Sequence, residues 1–131
     1  GKFENLKLSH TTAHLSRAVL EGISFSLLQI LELIEIGIPA VATIKASGIL
    51  TQSPFWLQML ANIFGKPVQV FDDADASSLG AVYLAMFATG ALPHLDHIIK
   101  GNTALKTYLP DEHLRKLYAQ QYRKFCKLYV A

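Results

Sequence analysis

Apolar residues recur at helical spacing through Leu15, Val19, Ile23, Leu27, Ile30, Leu31 and Ile34, which predicts a long helix. Ser9, Thr11 or Thr12 suits its N-cap, and Gly37 and Pro39 stop it near Ile36. Arg17, Glu21, Ser24, Glu32 and Glu35 form only a narrow polar stripe, so this helix is expected to be mostly buried and central. The next segment, AVATIKA at 40–46, is short and β-branched and ends at Ser47-Gly48; it reads as a buried strand. Ser53-Pro54 pairs an N-cap residue with proline at the first helical position, which opens a second helix to Phe64, stopped by Gly65. A second strand is expected at Val68–Phe71. Asp75 is placed to cap a third helix from Ala76 to about Thr89, ended by Gly90. Residues 91–102 read as irregular and 103–109 as a short extended stretch. Pro110-Asp111 opens a last helix striped by Leu114, Leu117 or Tyr118, Gln121 or Tyr122, Phe125, Leu128 and Tyr129.

Alternating strands and helices imply an α/β layered fold with mostly parallel strands. Two clear strands are few for a sheet, which suggests that part of the domain lies outside these 131 residues. The length itself suits one domain. The 51% hydrophobic content argues against disorder, and the 17% charged content and net charge of +2 give no case for nucleic-acid steering. Charge is uneven: residues 1–99 hold 5 basic and 8 acidic groups, and residues 100–131 hold 7 and 2. The basic end reads as a solvated helix face. The apolar windows 23–34 and 79–93 are too short or too acidic to span a membrane. The first ten residues, GKFENLKLSH, lack the apolar core of a secretory signal. A start at Gly1 rather than Met is expected of a processed chain or a piece of a longer one.

Few residues offer chemistry. His10 and His14 have the i, i+4 spacing of zinc ligands but lack a third ligand and the glutamate of H-E-x-x-H. His94, Asp96 and His97 are too sparse a set for a metal. Asp72, Asp73 and Asp75 read as a turn and helix cap rather than a cation site. Cys126 is the single cysteine, so it has no internal disulfide partner; Lys124 and Lys127 flank it, but no base is evident. The segment that stands out is Ala46-Ser47-Gly48 with Ser53, where a strand ends in a small-residue turn and feeds a helix. Glycine admits a ligand to the backbone, and such turns at strand carboxyl ends are where α/β proteins bind ligands.

Four blocks together resemble the C-terminal part of the FGGY-family carbohydrate kinases, closest to gluconate and xylulose kinases. GKFENLKLSH followed by HLSRAVLEGISF is similar to the family's lead-in to a long central helix. ASGILTQSPFWLQMLANIFGKPV is similar to its adenosine-binding turn, helix and next strand. DASSLGAVYLA is similar to its E-x-S-x-L-G-A-A helix, with Asp75 in place of the usual glutamate. The tail from Tyr118 to Tyr129 resembles its closing helix.

The resemblance implies a partial RNase H-like, actin-like ATPase domain spanning residues 1–131, helix-rich with few strands. It implies a cytoplasmic parent enzyme in which an N-terminal domain binds the sugar and supplies an aspartate base, while ATP with Mg2+ lies on the C-terminal domain. Gly48 matches the first glycine of the family's adenosine pair, and Ile49 stands at the second, where its branched side chain is expected to crowd the base. Gln52 and Ser53 fall where the family places polar contacts to the base. Gly80 and Ala81 match small residues of a closely packed helix, and Arg17, Glu21 and Gly22 match the central helix. No catalytic or metal-binding residue is carried over. The expected partner is the N-terminal sugar-binding domain, with neither nucleic acid nor membrane. The alternative is a kinase-derived binding or interaction module without catalysis. Without its flanking strands, the segment 40–46 is expected at a sheet edge, and self-association as a homodimer through that edge, or by exchange of a terminal helix, follows.

Overall fold

The computed structural model describes residues 2–71, 76–95 and 104–128. Helix α1 spans Thr12–Gly37, with Thr11 in extended conformation as its N-cap. The Thr11 N–H donates to His14 Nδ1 at 3.1 Å, and the Lys7 N–H donates to His10 Nδ1 at 3.2 Å. Both imidazoles are thus engaged in shaping the start of the helix, and no group of three metal-ligating side chains occurs among the described residues.

The first strand, β1, is Ile44–Ala46, shorter than the 40–46 expected from the run of apolar residues. The polar groups of Val41 show why. Its N–H donates to Glu35 Oε1 at 2.7 Å and its carbonyl accepts from Lys66 Nζ at 2.7 Å, while Lys66 and Glu35 pair at 3.1 Å. Side chains have taken the backbone groups that a ladder would need. Strand β2, Val68–Val70, runs parallel to β1 with Ile44 opposite Val68 and Ala46 opposite Val70. Strand β3, Lys106–Tyr108, falls within the expected extended stretch and joins β2 antiparallel, with Val68 opposite Tyr108. The sheet order is β1-β2-β3, one parallel and one antiparallel pairing.

Helix α2, Pro54–Phe64, is the centre of the molecule. Ser53 caps it by accepting from the Trp56 N–H at 3.3 Å, Pro54 supplies the preset φ, and Gly65 closes it at φ 62°. One face of α2 buries Leu57, Leu60 and Ala61 with Ala46, Val68 and Tyr108 against the sheet. The other buries Met59 and Ile63 with Phe25 of α1 and Tyr118 of the last helix. Trp56 and Phe64 pack against both clusters and so join them. Polar side chains of α2 hold the link out of β3: Gln58 Nε2 donates to the Leu109 carbonyl at 2.7 Å, and buried Asn62 accepts from the Asp111 N–H at 2.8 Å. Asp111 in turn caps that last helix, α4, Glu112–Lys127, through the N–H groups of His113 and Leu114. Helix α3, Ala76–Ala88, lies between β2 and β3 in sequence.

Two expectations of burial fail. In α1 only Ser24, Phe25 and Leu31 are buried. Val19, Ile23, Leu27, Ile30 and Ile34, which lie on one face at helical spacing, are 38–53% exposed. Phe25 faces Tyr118, Tyr122 and Phe125 of α4, whereas nothing among the described residues covers the opposite face. In α3, Ala81 is exposed and a Cβ at Gly80 would meet nothing within 4 Å, so the close packing expected of these small residues is absent among the described residues. Val82, Leu84 and Phe87 are exposed as well. Arg17 and Glu21 do tie α1 to α4: Arg17 Nε donates to Glu21 Oε1 at 2.8 Å and Arg17 Nη2 to the Tyr118 hydroxyl at 3.1 Å. No helix among the described residues is long and apolar enough to cross a membrane. Asp72, Asp73, Asp75, Asp96 and His97 lie outside the described residues.

Candidate functional site

At the carboxyl end of β1 the chain leaves Ala46 through extended Ser47 and makes one 3-10 turn, Gly48–Gln52, before α2 begins. Gly48 starts this turn at φ 75°, a left-handed conformation that costs a side-chain-bearing residue roughly 1 kcal/mol. A Cβ there would meet nothing within 4 Å, so backbone conformation, not crowding within the chain, accounts for glycine. The Thr51 hydroxyl donates to the Gly48 carbonyl at 2.7 Å and the Ser53 N–H to the Leu50 carbonyl at 3.2 Å. Leu50 anchors the turn on the sheet-side core. The turn is fixed by its own bonds and by one apolar anchor.

The structure brings Gly48, Ile49, Gln52 and Ser53 onto this single turn and cap. Ile49 is 80% exposed. Its side chain therefore stands in solvent at the mouth of the turn. Gln52 is exposed beside it, since residues three apart eclipse on a 3-10 helix. An aliphatic surface next to a primary amide suits a flat heterocycle with a hydrogen-bonding edge.

Charge also bears on what this turn could hold. From Ala46 to Gly65 the sequence has no Asp, Glu, Lys or Arg. Lys45, just before, has its ammonium 5.1 Å from the Phe71 ring centroid. A turn without cations has no side chain to neutralise a polyphosphate. What it offers is backbone, an amide, hydroxyls and apolar surface, none of them charged.

A second concave region lies between α1 and α4. It is an open groove of about 770 Å³ lined by Gln29, Ile30, Glu32, Leu33, Tyr122 and Cys126, among others. The Tyr122 hydroxyl donates to Glu32 Oε2 at 2.5 Å, and Gln29 Nε2 lies 3.9 Å from Cys126 Sγ. Burial, then the neighbouring Glu32 and Cys126, raise the Tyr122 phenol above its ordinary value. Periodicity alone does not bring these residues together. The i, i+3 pair Gln29 and Glu32, facing the i, i+4 pair Tyr122 and Cys126, was the available signal.

Comparison with known proteins places this turn in a larger frame. The sequence model of the FGGY family of carbohydrate kinases, C-terminal domain, matches residues 1–89. The chain is 32% identical over 129 residues to a probable L-xylulose kinase of Haemophilus influenzae, covering 98% of this chain and 26% of the relative. It is 34% identical over 131 residues to a gluconokinase of Bacillus licheniformis, covering 99% of this chain and 25% of the relative. The ligand-bound xylulose kinase structure from Lactobacillus acidophilus superposes with a TM-score of 0.84 at 28% identity, over 97% of this chain and 26% of that one. The Plasmodium falciparum glycerol kinase structure with ADP shares the fold, with a TM-score of 0.77 at 21% identity, over 99% of this chain and 27% of that one. The chain thus spans about a quarter of the length of the relatives it matches. Helix order, the short mixed sheet and the turn between β1 and α2 all fall within that shared quarter, and the chain belongs to the C-terminal region of the FGGY family of carbohydrate kinases.

Proposed function

We propose that this chain is the nucleotide-side part of an ATP-dependent carbohydrate kinase, acting in the cytoplasm, and that the Ser47–Ser53 turn seats the adenine. The observation that carries this reading is the uncharged turn itself: Gly48 left-handed, Ile49 and Gln52 facing solvent, Ser53 capping α2. Ile49 and Gln52 would meet the face and edge of the base, and ATP, with Mg2+, would supply the phosphoryl group. The phosphates would be gripped, and the sugar hydroxyl deprotonated by an aspartate, on parts of the parent that these 131 residues do not contain. The bare apolar faces of α1 and α3 support this reading, because a larger parent has the surface to cover them.

A titration of backbone amides with ADP tests the placement. Shifts centred on residues 47–56, with a dissociation constant on the order of millimolar, are expected. A coupled ADP-release assay on this chain with gluconate, xylulose or glycerol should show no turnover above the background without sugar. Turnover would overturn the proposal that the chain is inactive alone. The second reading, a kinase-derived interaction module without nucleotide, draws on Ile49 at the position of a family glycine. No amide response to ADP anywhere would favour it.

A further inference from the structure

We propose that the Ser24–Trp56 hydrogen bond is a positioning contact that sets the orientation of the Ser47–Ser53 turn relative to α1; its effect on nucleotide rests on the reading above. Ser24 is fully buried in the middle of α1. Its hydroxyl donates to the Leu20 carbonyl at 2.7 Å and accepts from the Trp56 indole N–H at 3.1 Å. The backbone N–H of the same Trp56 donates to Ser53 Oγ at 3.3 Å. One residue therefore carries both the cap of α2 and its directional link to α1, three positions after the last residue of the turn.

Apolar packing alone would not require this pair. Alanine at 24 and phenylalanine at 56 would fill much of the same space without taking a hydroxyl and an indole N–H out of water. A matched donor and acceptor in a low-dielectric interior do something that packing does not: they select one rotation of the ring and one depth of α2 against α1. Trp56 also packs against both buried clusters. The bond thus sits where the sheet-side half, which carries the turn, meets the helical half.

Trp56 is the only tryptophan in the chain, so one indole N–H resonance reports the bond. The experiment compares the unmodified chain with Ser24→Ala, Trp56→Phe and the double variant, by amide spectra, ADP titration and urea unfolding. In Ser24→Ala we expect the indole resonance to move upfield, the amides of residues 47–53 to shift without ligand, and the ADP dissociation constant to rise about fivefold, the scale of one net hydrogen bond. Trp56→Phe should lose a similar factor and the double variant no more than either, because both remove the same link. Lower urea resistance with unchanged ADP affinity and unmoved 47–53 amides would mean a purely structural bond and overturn the inference. If the unmodified chain shows no response to ADP, the nucleotide reading fails instead. The ligand-free amides then decide the positioning claim alone, and unmoved 47–53 resonances in Ser24→Ala reject it.

Discussion

Helix α2 and helix α1 are both rich in apolar residues, yet the first buries six of its eleven residues and the second three of its twenty-six. The difference lies in what surrounds them. Helix α2 has the sheet on one side, α1 and α4 on the other, and polar grips at Ser53, Gln58 and Asn62. Helix α1 has α2 and α4 along one face only, and its stripe from Val19 to Ile34 is bare among the described residues. An apolar stripe in a sequence declares that a face is to be covered; it does not say by what. The covering surface belongs to a different level of organisation, and the matched relatives are about four times longer than this chain.

Truncating one residue on each helix would sharpen this contrast most. Leu57 is completely buried between the sheet and α2, so Leu57→Ala should cost about 3 kcal/mol in urea unfolding. Leu27→Ala, on the bare stripe, should stay within about 0.5 kcal/mol when both variants are unfolded at a dilution where the chain is monomeric. Similar losses at both sites would show that the stripe is covered after all.

The same stripe makes a prediction about assembly. Exposed apolar surface of this continuity favours burial against a second copy when nothing else is present. Light scattering at micromolar concentration should report a dimer of the isolated chain. Lysine substitution at Ile23 and Leu27 should return it to monomer and remove the concentration dependence of its unfolding midpoint. Lysine at Thr43, beside the open edge of β1, tests the alternative route through the sheet; an assembly sensitive to Thr43→Lys and indifferent to the helix variants would place the interface there.

Smaller effects probe the turn and its supports. Gly48→Ala should destabilise by about 1 kcal/mol through its positive φ, with no steric term, since the space around it is open. Glu35 tests the clamp at the end of α1. Lys66, then the Val41 N–H, hold its carboxyl below the ordinary value of 4.5. Its contribution is therefore fully present above pH 4.5 and is lost as the pH falls through its lower folded value. Urea midpoints between pH 6 and pH 2 should fall less steeply in Glu35→Gln than in the unmodified chain, and parallel curves would show that the clamp adds nothing.

Much of this architecture was legible in the sequence because the punctuation is local. Ser53-Pro54 and Gly65 bracket α2, and Asp111 opens α4, each through bonds made within a few residues. The candidate turn was legible for the same reason, as Gly48 needs its left-handed φ whatever lies around it. What escaped was set by distant partners. The segment 40–43 looked like strand, yet Glu35 and Lys66 claim the backbone of Val41 from six residues before it and twenty-five after. β3 pairs antiparallel with β2, and the link that follows it is held by α2, whose Gln58 and Asn62 bond Leu109 and Asp111. The exposure of Ile49 also escapes the sequence, because it depends on the 3-10 turn that rotates Ile49 away from the Leu50 anchor. The Ser24–Trp56 bond spans 32 positions and two helices, beyond the reach of any periodicity.

The central claim, that the turn after β1 receives the uncharged end of a nucleotide, is tested most directly by dividing the nucleotide in two. Adenosine and inorganic pyrophosphate are titrated separately against the 131-residue chain while the amides of residues 47–56 are followed. The account predicts that adenosine moves these amides at concentrations close to those ADP requires, and that pyrophosphate leaves them in place. A response to pyrophosphate at the turn, with none to adenosine, would contradict it.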